Sequence, residues 1–141
     1  MEVPINYLAV IVAAVANFVL GGIWFGPLFG KKWFKLSGIT QSRIDEAKNK
    51  GMAKSYVLMF LGSLVMAFVL SHALVFASSY MDQHGVYAGL TAGFWNWLGF
   101  VVPVTIGVVL WDLKPWKYWL ITYSYYLVGL CLMGAILAVW M

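Results

Sequence analysis

Apolar residues occur in four long runs that cover most of the chain, with short polar segments between them. The runs extend over about residues 5–28, 55–80, 87–111 and 116–140. A helix needs about 20 consecutive apolar residues to cross a hydrocarbon core of about 30 Å. The pattern therefore predicts four membrane-spanning segments.

These spans are predicted to be helices. A backbone in lipid must satisfy its own polar groups, and the runs are longer than barrel strands and lack their period-2 alternation. The turns near residues 81–85 and 112–117 are short, which favours neighbouring spans of opposite direction. The predicted fold class is an all-α membrane protein with four transmembrane helices in a compact antiparallel bundle, as one domain over residues 1–141.

The segment 29–54 is the longest polar part of the chain, and a short amphipathic helix is predicted within it. The helix extends from about Ser42 to Lys50, with Ser42 and Asp45 as a variant capping box and Gly51 as the C-terminal stop. We expect a solvated connecting helix that its lysines attract to anionic lipid headgroups. A dedicated docking site for a partner is the alternative.

The first run has a competing interpretation as a secretory signal, because Ala14–Ala16 resembles a cleavage site. However, Glu2 stands where a signal has basic residues, and the apolar sequence continues to Trp24. We therefore expect this run to be a retained membrane helix.

Composition supports a membrane protein, and the positions of the basic residues predict its orientation in the membrane. The chain is 63% hydrophobic and 10% charged, against about 25% charged in soluble domains. Basic residues in short loops mark the cytoplasmic side of a membrane. All nine lie in two segments: Lys31, Lys32, Lys35, Arg43, Lys48, Lys50 and Lys54 after the first span, and Lys114 and Lys117 after the third. Both termini are thus expected outside, with the bilayer as partner and no nucleic acid.

Tryptophans and lysines cluster at the predicted cytoplasmic ends of the spans, as in "GGIWFGPLFGKKW" at residues 21–33. An indole suits the headgroup level, where its ring is in an apolar zone and its N–H is near water. Pro27 is expected to end or kink the first helix. The predicted interfacial anchors are Trp24, Trp33, Lys31, Lys32, Trp111, Trp116 and Trp119.

Two stretches carry a family resemblance. "NYLAVIVAAVANFVLGGIWFGPLFGKKW" at residues 6–33 and "GFWNWLGFVVP" at residues 93–103 resemble the bacterial family catalogued as domain of unknown function 1761. The resemblance implies a small integral membrane protein, expected in a bacterial inner membrane. The family has no assigned activity, so no catalytic residue is carried over.

Small residues at four-residue spacing suggest close helix packing, because they let helix backbones approach each other. Three such sets are present: Gly22 and Gly26; Ser63, Ala67 and Ser71; and Gly89 and Gly93. They are expected to pack within the chain or against a second subunit, in a homo-oligomer or a larger membrane complex.

Polar residues inside the spans are few. His72 and Asn96 fall at similar depth on consecutive spans, which predicts a contact between them, directly or through a water. The alternative is a bond from His72 to a backbone carbonyl. Asn17 is the third polar candidate, in the first span.

Motifs for catalysis or cofactor binding are not found. The interiors of the spans hold no Asp, Glu, Lys or Arg, which argues against an ion-coupled carrier. Asp82 and His84 could contact a metal, but His72 lies two helical turns away in a span, so no metal or other cofactor is expected. Hydrolytic motifs are missing, and the pattern does not favour an enzyme.

Three functions are compatible with this pattern. The first is a non-enzymatic protein that acts through helix packing. The second is a passive channel or permease for a small solute, lined by Asn17, Asn96 and Thr105. The third is a lipid or hydrophobic-ligand binding protein, suggested by the deep aromatic residues of the third and fourth spans. Those residues are Trp95, Trp97, Tyr123, Tyr125 and Tyr126.

Overall fold

The structure, a computed structural model, describes residues 2–141, so residue 1 of the predicted domain lies outside the described residues. Helices and short turns make up the described part, and no strand occurs in it. The helices are α1 Tyr7–Ile23, α2 Gly30–Ser37, α3 Gln41–Lys50, α4 Ala53–Met81, α5 Gly85–Asn96, α6 Val102–Thr105, α7 Gly107–Leu110 and α8 Trp116–Val139, with π-helical segments at Trp24–Leu28 and Trp97–Val101.

Four helical segments within residues 2–141 are long and apolar enough to cross a membrane. They are Tyr7–Leu28, Ala53–Met81, Gly85–Leu110 and Trp116–Val139. Their bounds differ from the predicted runs by at most two residues at either end. The prediction of an all-helical chain with four candidate spans is confirmed.

The fourth span lies at the centre of the packing. It contacts each of the other three spans, most extensively the third, and the first span also packs against the second. Its Met133 and Leu137 are among the most completely buried side chains. Contacts between the first and fourth spans join Asn6 to Trp140 and Trp24 to Ile121.

The polar segment between the first two spans contains two helices, although only one was predicted. The helix α3 begins one residue earlier than predicted, and its N-cap is Thr40, not Ser42. Thr40 has an extended backbone, and its hydroxyl accepts a hydrogen bond from the Arg43 N–H at 3.4 Å, which is the geometry of an N-cap. The helix ends at Gly51, where φ is +90°.

The helix α2 was not predicted. One side carries exposed lysines, whereas Trp33, Phe34 and Leu36 are partly buried and Ser37 is buried. Gly38 ends the helix with φ of +72°, a left-handed conformation that glycine adopts without strain. An amphipathic helix thus continues the first span almost directly.

Candidate functional site

The helix of the first span has a wider, π-helical turn around Pro27, near its lysine-rich end. The π-helical segment Trp24–Leu28 contains this proline, and the Phe29 N–H donates to the Trp24 carbonyl at 2.9 Å, five residues back. Proline cannot donate a backbone hydrogen bond, so a wider turn accommodates it. The first span therefore continues through Pro27 as a π-helix and ends at Leu28, and α2 begins after Phe29. Such π-segments are frequent at functional sites.

Beside this segment lies a cleft between the first, second and fourth spans, with a volume of about 740 Å³. We call it the interspan cleft. Its lining consists of aromatic rings, glycines, one methionine and one serine: Phe18, Gly21, Gly22, Phe25, Gly26, Tyr56, Met59, Ser63, Tyr125 and Tyr126. Concave, mainly apolar surfaces with a few polar groups are typical of small-molecule sites.

A buried polar contact joins the three spans beside the cleft. Asn17 is only 2% exposed, and its Nδ2 donates to Ser63 Oγ at 2.9 Å. The Tyr125 hydroxyl donates to the Asn17 backbone carbonyl at 3.0 Å. Asn17 Oδ1 has no hydrogen-bond partner among residues 2–141 and lies over Gly129, where an added Cβ would collide with it. Asn17 therefore joins the first span to both the second and the fourth.

The predicted contact between His72 and Asn96 needs correction. His72 Nδ1 lies 2.9 Å from the Phe68 carbonyl, and Asn96 Nδ2 donates to the Ala92 carbonyl at 2.8 Å. Each side chain therefore bonds to the carbonyl four residues earlier on its own helix. That geometry gives each side chain a hydrogen-bond partner on its own helix, so a partner on another helix is not required. The alternative, His72 on a backbone carbonyl, describes the structure.

Two of the three small-residue sets pack within the chain. A Cβ at Gly93 would lie 2.7 Å from backbone atoms of Leu130 and Cys131, and one at Gly89 would collide with the Gly134 backbone. The second set, Ser63, Ala67 and Ser71, is buried. In contrast, nothing lies within 4 Å of a Cβ at Gly22 or Gly26. This remaining set, Gly22 and Gly26, lines the interspan cleft.

The predicted tryptophan anchors divide into two groups. Trp24 Nε1 donates to the Ile121 carbonyl at 2.8 Å and Trp33 Nε1 donates to Thr122 Oγ1 at 3.0 Å, so both indoles attach the first span and α2 to the fourth. Trp111 and Trp116 are exposed. Trp119 departs from the prediction, because it is 7% exposed and its indole donates to Thr105 Oγ1.

The lysine anchors of the prediction, Lys31 and Lys32, lie on the exposed side of α2. The turn between the second and third spans holds Asp82 and His84, whose Oδ1 and Nε2 atoms are 3.2 Å apart in an exposed contact. Neither group is among the residues that line the interspan cleft. The polar chemistry of the cleft therefore rests on Ser63 and the tyrosines.

Sequence reasoning named several cleft residues without bringing them together. Gly22 and Ser63 were predicted from small-residue spacing and Tyr125 from the aromatic residues of the fourth span. Asn17, which lies beside the cleft, was predicted as a polar residue within the first span. The available signal was depth: Asn17 and Ser63 lie at matching distances from the lysine-rich ends of their spans. Only the pairing of the first span with the second and fourth makes this signal usable.

The fold and the cleft define an all-helical chain with four candidate membrane-spanning helices and a cleft between three of them. A family model described as protein of unknown function DUF1761 matches residues 8–138. The chain belongs to this family, as the resemblance in its first and third spans implied. Comparison with curated proteins and with solved structures returned no match.

Proposed function

We propose that this protein is a non-enzymatic integral membrane protein that holds a lipophilic molecule in the interspan cleft. The supporting observation is the cleft itself, a concave surface of about 740 Å³ lined mainly by rings and glycines. Such a surface offers dispersion contacts to a chain or a ring system. Of the three functions compatible with the sequence, hydrophobic-ligand binding fits this geometry best.

The polar lining favours a molecule that carries a hydrogen-bond acceptor. Ser63 Oγ accepts from Asn17 Nδ2, and a hydroxyl that accepts one bond still has a proton to donate. Ser63 lines the cleft and is 4% exposed. An ester, ketone or ether oxygen of a lipophilic ligand is a suitable acceptor at this depth.

The membrane arrangement is part of the proposal. The pairing of Asn6 with Trp140 and of Trp24 with Ile121 supports an antiparallel bundle. The nine basic residues, which all follow the first or third span, support a cytoplasmic side at Lys31–Lys54. We place the protein in a bacterial inner membrane with both termini outside and with α2 and α3 in the cytoplasm.

Association with a second subunit is the other candidate function. Gly22 and Gly26 are the one predicted small-residue set with open space around both positions, which is the surface that a helix of a second copy or another membrane subunit would use. The channel alternative has less support, because the Asn17, Asn96 and Thr105 side chains each bond to a different neighbour.

The test compares two glycine substitutions. Gly22→Leu fills the cleft without a clash inside the chain, and Gly62→Leu adds the same bulk at another exposed position with nothing within 4 Å. The protein is extracted gently, and its bound organic molecules are measured by mass spectrometry. We expect wild type and Gly62→Leu to retain the same lipophilic molecule and Gly22→Leu to lose it. Equal retention by both variants would contradict the proposal.

A further inference from the structure

A second concave surface lies between α2 and the beginning of the fourth span. It has a volume of about 570 Å³ and is separate from the interspan cleft, with no lining residue in common. We call it the basic groove. Its floor is formed by Phe29, Leu36, Leu120 and Ile121, and the lysines Lys32, Lys35 and Lys117 also line it.

The groove has a fixed wall because α2 is attached to the fourth span. Trp33 donates to Thr122 Oγ1 at 3.0 Å, and its ring stacks on Tyr118 with centroids 6.0 Å apart. At the other end of the helix, Lys114 Nζ donates to the Ser37 carbonyl. A cation at the C-terminus of a helix is also favoured by the helix dipole. The groove is therefore shaped before any ligand enters.

The charge of the groove is not neutralised by the protein. Among residues 2–141, Lys50 forms an ion pair with Glu46, and Asp82 contacts His84. Lys32, Lys35 and Lys117 have no carboxylate within ion-pair distance in that part of the chain. Lys32 and Lys35 are three residues apart on one helix, so their ammonium groups face the same side. Three such cations beside one groove favour a bound anion.

The apolar floor identifies the kind of anion. A free phosphate would leave Phe29, Leu36 and Leu120 uncovered, whereas a lipid covers them with an acyl chain. Trp24 and Trp116, at the ends of the first and fourth spans near the groove, are typical of the headgroup level. Basic pockets between transmembrane helices on the cytoplasmic side are known to suit anionic lipid headgroups.

We propose that the basic groove binds an anionic phospholipid. The phosphate lies among the ammonium groups of Lys32, Lys35 and Lys117, and one acyl chain follows the floor of the groove. This site shares no lining residue with the interspan cleft. A negative result at one site therefore does not argue against the other.

Native mass spectrometry of the full chain in detergent tests the proposal, with dioleoylphosphatidylglycerol as the probe and dioleoylphosphatidylcholine for comparison. The groove variant replaces Lys32, Lys35 and Lys117 by glutamine. The control replaces Lys31, Lys48 and Lys54, which are exposed and outside the groove, and changes the net charge equally. One lysine near the membrane surface contributes roughly 5-fold to anionic lipid binding, so the groove variant should lose on the order of 100-fold.

We expect the control variant to bind phosphatidylglycerol like wild type and phosphatidylcholine to bind wild type much more weakly. Leu120→Ser, at a position 53% exposed, should weaken the binding of phosphatidylglycerol roughly threefold or more, because the acyl chain loses apolar contact. Equal losses in the two triple variants, equal binding of the two lipids, no effect of Leu120→Ser, or displacement of the lipid by millimolar inorganic phosphate would each overturn the proposal.

Discussion

At the scale of single residues, Asn17 explains why a glycine stands opposite it. Its Nδ2 is bonded to Ser63, and its Oδ1 lies over Gly129 without a hydrogen-bond partner. A Cα–H contact to a carbonyl-type oxygen is a weak interaction, and it requires that no side chain stands between. Position 129 can thus hold only glycine while Asn17 keeps this rotamer.

This contact gives a prediction for two substitutions. Gly129→Ala should lower the free energy of unfolding by about 1–3 kcal/mol, because the new methyl group collides with Oδ1. In an Asn17→Ala background the same change should cost less, since the colliding oxygen is gone. Unfolding in mixed detergent micelles measures both costs. If Gly129→Ala costs the same in both backgrounds, the oxygen does not lie over the glycine.

At the scale of elements, the third and fourth spans are held together by backbone proximity. Gly89 lies against Gly134, and Gly93 lies against Leu130 and Cys131. The Trp97 indole adds a hydrogen bond to the Tyr123 carbonyl at 2.8 Å. Close approach in lipid gains dispersion contacts that larger side chains would prevent. These two spans therefore act as one packed unit.

Gly89→Leu tests this packing. The added side chain has to displace the Gly134 backbone, so the variant should lose about 3 kcal/mol or more of stability. Gly99→Leu is the matched control on the same span, because nothing lies within 4 Å of its Cβ position, and it should leave the melting temperature in detergent nearly unchanged. Similar melting of the two variants would place Gly89 against lipid.

The elements also show how far sequence reasoning reaches. Long apolar runs are strong signals, so the four spans could be predicted from hydropathy alone. The helix α2 could not, because it is short and because Lys31, Lys32 and Trp33 were assigned to the interface as anchors and not to a helix. Side-chain partners were harder still: His72 and Asn96 match in depth, yet depth does not give helix rotation. The interspan cleft depends on three spans at once, and no local pattern encodes it.

At the scale of the whole molecule, two separate concave surfaces lie towards the lysine-rich ends of the spans. The interspan cleft lies between the first, second and fourth spans, and the basic groove lies between α2 and the fourth span. Which side of the membrane these surfaces lie towards depends on the orientation derived from the basic residues.

The orientation is tested in a Cys131→Ser background with single cysteines. A cysteine at Gln83, in the outer turn, should react with an impermeant thiol reagent added to intact cells. One at Lys48, on α3, should react only after the membrane is opened. The reverse pattern would mean that the lysine-rich side faces out and that the topology is inverted.

The central claim is that the interspan cleft holds a small lipophilic molecule, not a second subunit. The most direct measurement is the native mass of the gently extracted wild-type protein. We predict the mass of a single chain plus a non-protein mass of lipid size, which is lost in Gly22→Leu. A mass that is a whole multiple of the bare chain, with nothing else bound, would contradict the account.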